Sequence, residues 1–245
     1  MTHYLRFVQT DPDFNPENVK ELFNRMSGSY ERMNYITSFG FSLRWRRQFV
    51  QVLPSSHEKI RVLDLMTGMG ETWHMVKKHY PACEFSALDF SEGMLRPARQ
   101  KNEKKFGNSI HILQQDLLNN SLPSGHFDVV LSAFGMKTFN DDQLAIMAQQ
   151  IHRVLKPGGT FSLIEVSAPK SRVMRALYKM HLKYVVPMCG WLFLGNPSEY
   201  RMLWKYTEKF QNAARAVKLF REAGLQVRYT EYFYGCATGL VGTKP

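Results

Sequence analysis

The stretch Val62-Leu63-Asp64-Leu65-Met66-Thr67-Gly68-Met69-Gly70-Glu71 runs from an apolar strand through an acid into a Gly-x-Gly turn and then a helical segment. Glycines let the backbone of such a turn approach a ligand closely. The helix that follows presents free N–H groups and the positive end of its dipole. The turn lacks the third glycine of the dinucleotide fingerprint and the Lys-Ser/Thr of a phosphate loop. Its meaning is therefore set by what the neighbouring strands carry.

A second apolar strand, Glu84-Phe85-Ser86-Ala87-Leu88-Asp89, ends on Asp89. In doubly wound sheets an acid at that place accepts hydrogen bonds from ribose hydroxyls. The short strand Ile110–Leu113 leads to Gln115-Asp116-Leu117, and the buried strand Phe127-Asp128-Val129-Val130-Leu131 leads to Ser132-Ala133-Phe134-Gly135. Leu155-Lys156-Pro157-Gly158-Gly159-Thr160 then turns into the strand Phe161–Glu165. With Asp128 counted beside Asp89 and Asp116 as a site acid, four acid-tipped or loop-tipped strands in this order resemble the class I S-adenosylmethionine (SAM)-dependent methyltransferases. The resemblance implies an α/β, Rossmann-like fold with a doubly wound, seven-stranded, mostly parallel sheet, and SAM as cofactor. It places Asp64, Thr67, Gly68 and Gly70 at the amino-acid portion of SAM and Asp89 at the ribose, with Ser91 free to cap the next helix. Phe90 or Met94 would lie against the adenine, Asp116 and Leu117 would meet its amino group and face, and Phe134 would border the methyl.

At 245 residues, with 44% hydrophobic and 22% charged side chains, the chain is of ordinary α/β-domain size and composition. No apolar run is long enough for a membrane span, and the first residues do not read as a signal peptide. Cys83, Cys189 and Cys236 are scattered, without a C-x-x-C pair or a His cluster at metal spacing, so a reduced, cytoplasmic, metal-free protein is expected. The net charge of +11 admits nucleic acid, an anionic membrane or a merely soluble surface. The basic clusters Arg44-Arg46-Arg47, Lys101-Lys104-Lys105 and Lys170–Lys183 come with no aromatic platform and no nucleic-acid motif, so no nucleic-acid partner is expected. Lys101–Lys105 reads as a solvated helix end.

The pattern reads as one methyltransferase domain over 1–245. Residues 1–57 form an N-terminal helical cap, 58–167 alternate strand and helix, and 168–212 break the alternation as a helical substrate cover. The helix Ala213–Ala223 and strands Leu225–Glu231 and Ala237–Thr243 close the chain. Within the cover, Val173, Leu177, Met180 and Tyr184 form an apolar stripe, with Arg172, Arg175, Lys179 and Lys183 around the rest. Two readings stay open for it: an amphipathic helix packed over the site, or a helix against an anionic bilayer. Pro187–Gly195 adds an apolar patch suited to an isoprenoid tail or a homodimer contact.

Further residues resemble a narrower group. Leu22–Asn34, Ser38-Phe39-Gly40, Arg44-Trp45-Arg46-Arg47, Asp89–Leu95, Ala133-Phe134-Gly135, Arg153–Gly159, Tyr200-Arg201 and Val241–Pro245 are similar to the quinone C-methyltransferases of ubiquinone and menaquinone biosynthesis. The chain departs from that group at Lys137-Thr138, where Arg-Asn is usual, at Met69 and Glu71 in the turn, and in lacking a His near the C-terminus. A planar fork has become a flexible amine at Lys137.

An aromatic carbon is a poor nucleophile until its ring hydroxyl is deprotonated, so a base or a cation facing the phenolate is expected near the acceptor. Lys137 and Arg201 are the candidates for phenolate stabilisation, Tyr30 for positioning, and His181 for a base. Each has a plainer alternative: a solvated loop lysine for Lys137, a structural partner of Asp141, Asp142 or Glu199 for Arg201, helix packing for Tyr30, and a surface or helix-end residue for His181. The acceptor implied is a small aromatic or quinol ring, lipid-tailed if the narrower resemblance holds, which would bring the protein to the membrane periphery. The rivals are O- or N-methylation of another small molecule, and SAM binding without transfer.

Overall fold

A computed structural model describes residues 11–26, 38–188 and 198–245. Seven strands form one sheet: β1 (Arg61–Leu65), β2 (Glu84–Asp89), β3 (Ile110–Gln114), β4 (Phe127–Ala133), β5 (Leu155–Val166), β6 (Gln226–Tyr232) and β7 (Ala237–Thr243). Their order is β3-β2-β1-β4-β5-β7-β6, parallel throughout except that β7 runs antiparallel to both neighbours. The doubly wound sheet expected from the sequence is thus present. The order reverses between β1 and β4, and in such sheets the crevice beyond the strand ends at the reversal is where ligands bind.

Both sheet faces are covered, which is why these strands read as near-continuous apolar runs. Side chains alternate: Leu63, Leu65, Val130, Phe161 and Leu163 lie in one core, while Val62, Val129, Leu131 and Ile164 lie in the other. The first core is closed by α5 (Asp141–Val154) and α8 (Ala214–Glu222), through Leu144, Met147, Ile151 and Phe220. The second is closed by α2 (Phe41–Gln51), α3 (Trp73–His79) and α4 (Glu92–Phe106), through Trp45, Phe49, Trp73, Val76 and Ala98. Local signals set the helix starts. Ser91 caps α4 by accepting from the Met94 N–H, and Asn140 and Gln143 form a capping box on α5.

A third apolar cluster lies outside the sheet. It joins α1 (Pro16–Met26), the first turn of α4, and the cover, made of α6 (Arg172–Met180), a π turn (His181–Val185) and α7 (Ser198–Phe210).

Three sequence expectations shift. β5 begins at Leu155 rather than Phe161, because Gly158 at φ +76° carries the strand through an irregular register with β4 and donates to the Lys244 carbonyl at 2.8 Å. Asp128 is not a site acid. As the second residue of β4 it sits at the opposite end of the sheet, accepting from the Arg61 N–H at 2.8 Å and from Lys156 at 2.6 Å. The stripe Val173-Leu177-Met180-Tyr184 is not the packing face of the cover. The chain carries a second apolar stripe one residue over, Met174-Tyr178-Leu182-Val186, and this is the one packed inward.

Candidate active site

β1 delivers Asp64 to the crevice almost fully buried, where its Oδ2 accepts from the hydroxyls of Thr67 (2.7 Å) and Thr72 (2.6 Å). Trp73 Nε1 donates to Thr67 Oγ1 at 2.8 Å, so the whole turn is pinned to the helix that follows. Burial pushes the Asp64 carboxyl up to about 6; the two hydroxyl donors pull against this, and the neighbouring Glu71 adds to it. Asp89 at the end of β2 accepts from the Gly68 N–H (2.8 Å) and the Ser91 N–H (2.9 Å). It too is raised to about 6, chiefly by burial.

Of the non-glycine residues with left-handed backbone, two stand at the ends of the central strands: Met66 (φ +54°) after β1 and Phe134 (φ +68°) after β4. For bulky residues this conformation is strained by about 1–2 kcal/mol, and such strain gathers at functional sites.

Between these strand ends lies a cavity of about 900 Å³. Asp64, Thr67, Gly68, Asp89, Phe90, Met94, Asp116, Leu117 and Phe134 all line it. Gly70 does not. A Cβ there would lie 2.5 Å from the Trp73 ring, so its lack of a side chain serves packing. α1 and the turn before it supply a wall of Phe14, Val19 and Phe23. That wall is tied down: Asn24 Oδ1 accepts from Ser91 Oγ (2.7 Å) and the Gly93 N–H (2.9 Å), and Gln143 donates to the Phe14 carbonyl (2.9 Å). From the other side, Lys205 of α7 bonds Asp13 at 2.7 Å, Lys209 bonds Asp11 at 2.7 Å and also Asp13, and Tyr206 donates to the Asp13 carbonyl at 2.8 Å.

A second cavity, of about 1020 Å³, lies under the cover. Phe134 and Arg46 line both cavities, with the Arg46 guanidinium 4.7 Å from the Phe134 ring centroid. Lys137 and His181 line the second one. Lys137 is not a solvated loop lysine, being only 5% exposed. Its Nζ donates to Glu165 Oε1 and to the Phe134 carbonyl, each at 2.9 Å, and its backbone N–H donates to Glu165 Oε2 at 3.0 Å. Tyr178 faces the same cavity and stacks on His181, their ring centroids 6.2 Å apart. Cys236 is there too, its thiol pushed up to about 11 by burial.

Arg201 belongs to α7, but its side chain, like the whole of Tyr30, lies outside the described residues. Asp141, one of the partners considered for Arg201, is bridged by Arg215 at 3.2 Å. Four residues have no role assigned from the sequence: Arg46, Glu71 and Tyr178, which line these cavities, and Glu165, which is buried behind Lys137. A signal existed for two of them. Arg46 falls on the buried stripe Ser42-Trp45-Arg46-Phe49 of α2, and Glu165 is an acid within the apolar run Leu163-Ile164-Glu165-Val166.

The profile of the UbiE/COQ5 methyltransferase family matches residues 12–244. The chain belongs to this family. It is 34% identical over 224 residues to a demethylmenaquinone methyltransferase of Thermus thermophilus, covering 91% of this chain and all of that one. A demethylmenaquinone methyltransferase of Lactococcus lactis is 33% identical over 232 residues, covering 94% of this chain and 91% of the relative. In fold, it matches a SAM-dependent methyltransferase of Aquifex aeolicus with a TM-score of 0.56 at 17% identity, over 83% of this chain and 89% of the other.

This family member is a methyltransferase that uses SAM. The first cavity fits an amino-acid-bearing cofactor on a specific ground. Arg46 and Glu71 pair loosely at 3.6 Å, and Arg46 Nε and Glu71 Oε1 are buried there with no hydrogen-bond partner. Orphaned buried polar atoms of opposite charge are costly, and a carboxylate and an ammonium would satisfy them.

Proposed function

We propose that this methyltransferase transfers a methyl group to a ring carbon of a hydroxylated aromatic or quinol, of the demethylmenaquinone type named in its relatives. The whole chain acts as one catalytic unit, with the cap and the cover closing the two cavities. The observation that carries this reading is the second cavity itself. It is largely apolar, it meets the cofactor cavity at Phe134 and Arg46, and it holds a second buried cation, Lys137, in addition to Arg46.

SAM supplies an electrophilic methyl, so the protein must align the acceptor and make its carbon nucleophilic. Lys137 has three N–H donors and uses two on Glu165 and the Phe134 carbonyl, which leaves one for an acceptor oxyanion. Glu165 in turn is held by the backbone N–H groups of Lys137 (3.0 Å) and Val166 (2.7 Å), so the amine cannot swing away. His181 is the candidate base for the ring hydroxyl proton, and Arg201 and Tyr30 complete the acceptor set. In the first cavity Asp89 takes the ribose, Asp116 and Leu117 the adenine, and Asp64, Thr67 and Gly68 support the amino-acid end.

No helix among the described residues is long and apolar enough to cross a membrane. The acceptor is lipid-tailed in this reading, which puts the enzyme inside the cell at the membrane periphery. A homodimer is a further proposal, resting on the apolar run after Pro187.

The test is turnover of a tail-less demethylnaphthoquinol against a panel of phenols and amines, with the methylated position read by NMR. A new C-methyl on the quinol ring is expected. Methyl on oxygen or nitrogen, or turnover only of the non-quinol panel, overturns the reading. If Lys137→Arg and Lys137→Ala both leave turnover unaltered, Lys137 has no part in the chemistry.

A further inference from the structure

All nine large apolar side chains left exposed among the described residues fall in three short segments: Phe39 and Leu43, Val173 to Met188, and Phe233 with Tyr234. Scattered exposed apolar residues are ordinary, but a collection confined to one place is not. These three segments meet. The rings of Phe41 and Phe233 lie 4.3 Å apart and those of Phe39 and His181 5.4 Å apart, and Phe39, Leu177 and Phe233 all line the second cavity. The exposed residues therefore form a collar around the mouth of the acceptor cavity. Phe39 at 76%, Val173 at 71% and Tyr234 at 71% are among its most prominent members.

The charge carried by the longest segment of the collar has one sign, and the acids beside it are Glu208, paired with Lys179 at 3.8 Å, and Glu231 near Gly235. Between Glu165 and Glu199 the sequence contains no Asp or Glu, but it contains Lys170, Arg172, Arg175, Lys179 and Lys183. Four of these lie on α6 and its π turn, the same elements that carry the outward stripe Val173-Leu177-Met180-Tyr184. α6 thus has two apolar sides. One packs on the protein through Met174 and Tyr178, and the other looks outward between basic side chains. A basic surface helix with Leu, Met and Tyr on its free side has the composition of an interfacial helix lying in an anionic headgroup layer.

We infer that this collar docks the enzyme on an anionic lipid bilayer, with the mouth of the acceptor cavity facing the membrane. The apolar rim enters the headgroup boundary and the lysines and arginines around it meet lipid phosphates. A tailed acceptor then passes from lipid to cavity without crossing water. Its purpose rests on the lipid-tailed acceptor proposed above, but its geometry does not.

The experiment is co-sedimentation of the full chain with vesicles that contain no quinone: phosphatidylglycerol mixed with phosphatidylcholine, against pure phosphatidylcholine. Binding to the anionic vesicles is expected, at least tenfold weaker on the neutral ones and weakened by salt. Arg172→Gln with Lys183→Gln should weaken it about tenfold or more, since each basic residue near such a surface is worth about fivefold. Val173→Asp with Met180→Glu should abolish it. These positions are exposed, so thermal melting and turnover of a tail-less acceptor should be unchanged. Three results would overturn the inference: no binding to anionic vesicles, undiminished binding by both double variants, or self-association of the chain that the same variants dissolve. Vesicle binding without quinol turnover would instead sink the acceptor reading and leave the docking face standing.

Discussion

The buried pair Lys137–Glu165 makes the sharpest prediction about the acceptor side. The two side chains are 6% and 0% exposed and 2.9 Å apart. Lys137→Met strands a fully buried carboxylate, and Glu165→Gln strands a buried ammonium, each at a cost of about 3–5 kcal/mol. The double variant removes both charges. What remains lost is hydrogen bonding: Glu165 accepts the Lys137 and Val166 N–H groups on different oxygens, and an amide can serve only one of them. One unpaired N–H costs about 1–3 kcal/mol. The double variant should therefore be about as stable as either single one or more so, and less destabilised than their sum by at least about 2 kcal/mol. Urea denaturation of the four proteins at pH 7 measures this cycle. Independent sites add to within about 0.5 kcal/mol, so an additive cycle refutes the claim that the pair acts as one unit. In turnover, Lys137→Met should lower kcat more than it raises KM, and Lys137→Arg should recover part of the loss.

A pH prediction follows from Asp64 and Asp89, both raised to about 6 against an ordinary value of 3.8. The folded chain keeps these two protons up to about pH 6, whereas the unfolded chain releases them near pH 4. Their contribution to stability is therefore lost as pH rises from about 4 to about 6, by up to about 3 kcal/mol each, and is level above. Asp89→Asn should flatten the stability profile in that window. SAM affinity should climb through pH 6, where Asp89 becomes an acceptor only; calorimetric titration at pH 5 and pH 7.5 checks it. Gly70→Ala should cost about 2–4 kcal/mol, from a left-handed φ of +73° and a Cβ driven into the Trp73 ring. Gly107→Ala, with φ +58° but open space, should cost only about 1 kcal/mol, and thermal melts compare the two. Asp128→Ala should cost about 1 kcal/mol of stability and leave SAM affinity untouched, because it lies at the far end of the sheet.

The donor side was legible because each of its parts is local. Asp64, Gly68, Asp89 and Asp116 each end or follow a strand, and parallel topology gathers strand ends without further instruction. Asp128 misled because an acid at the start of a strand looks, in sequence, much like one at the end of the strand before it. The acceptor side was half legible. Lys137 stood out by type, but its partner Glu165 comes 28 residues later and meets it only because β4 and β5 are adjacent. The cover was the hardest part. Stripes 173/177 and 174/178 are both apolar, and helical periodicity cannot say which one the sheet will take. That was decided by tertiary fit of Tyr178 and Leu182, around a π turn with no clear sequence mark.

The bonds from Lys205, Tyr206 and Lys209 to Asp11 and Asp13 join the lid of the donor cavity to the cover of the acceptor cavity. The walls that the two ligands would meet are thus one connected part. Whatever free energy bound donor spends or gains in settling that part is already settled when the acceptor arrives, and thermodynamic reciprocity requires the acceptor to do the same for the donor. Donor and acceptor should each bind more tightly to the enzyme already holding the other, by the same factor. Cutting the strap with Lys205→Ala and Lys209→Ala should bring that factor towards one, even though neither lysine lines either cavity.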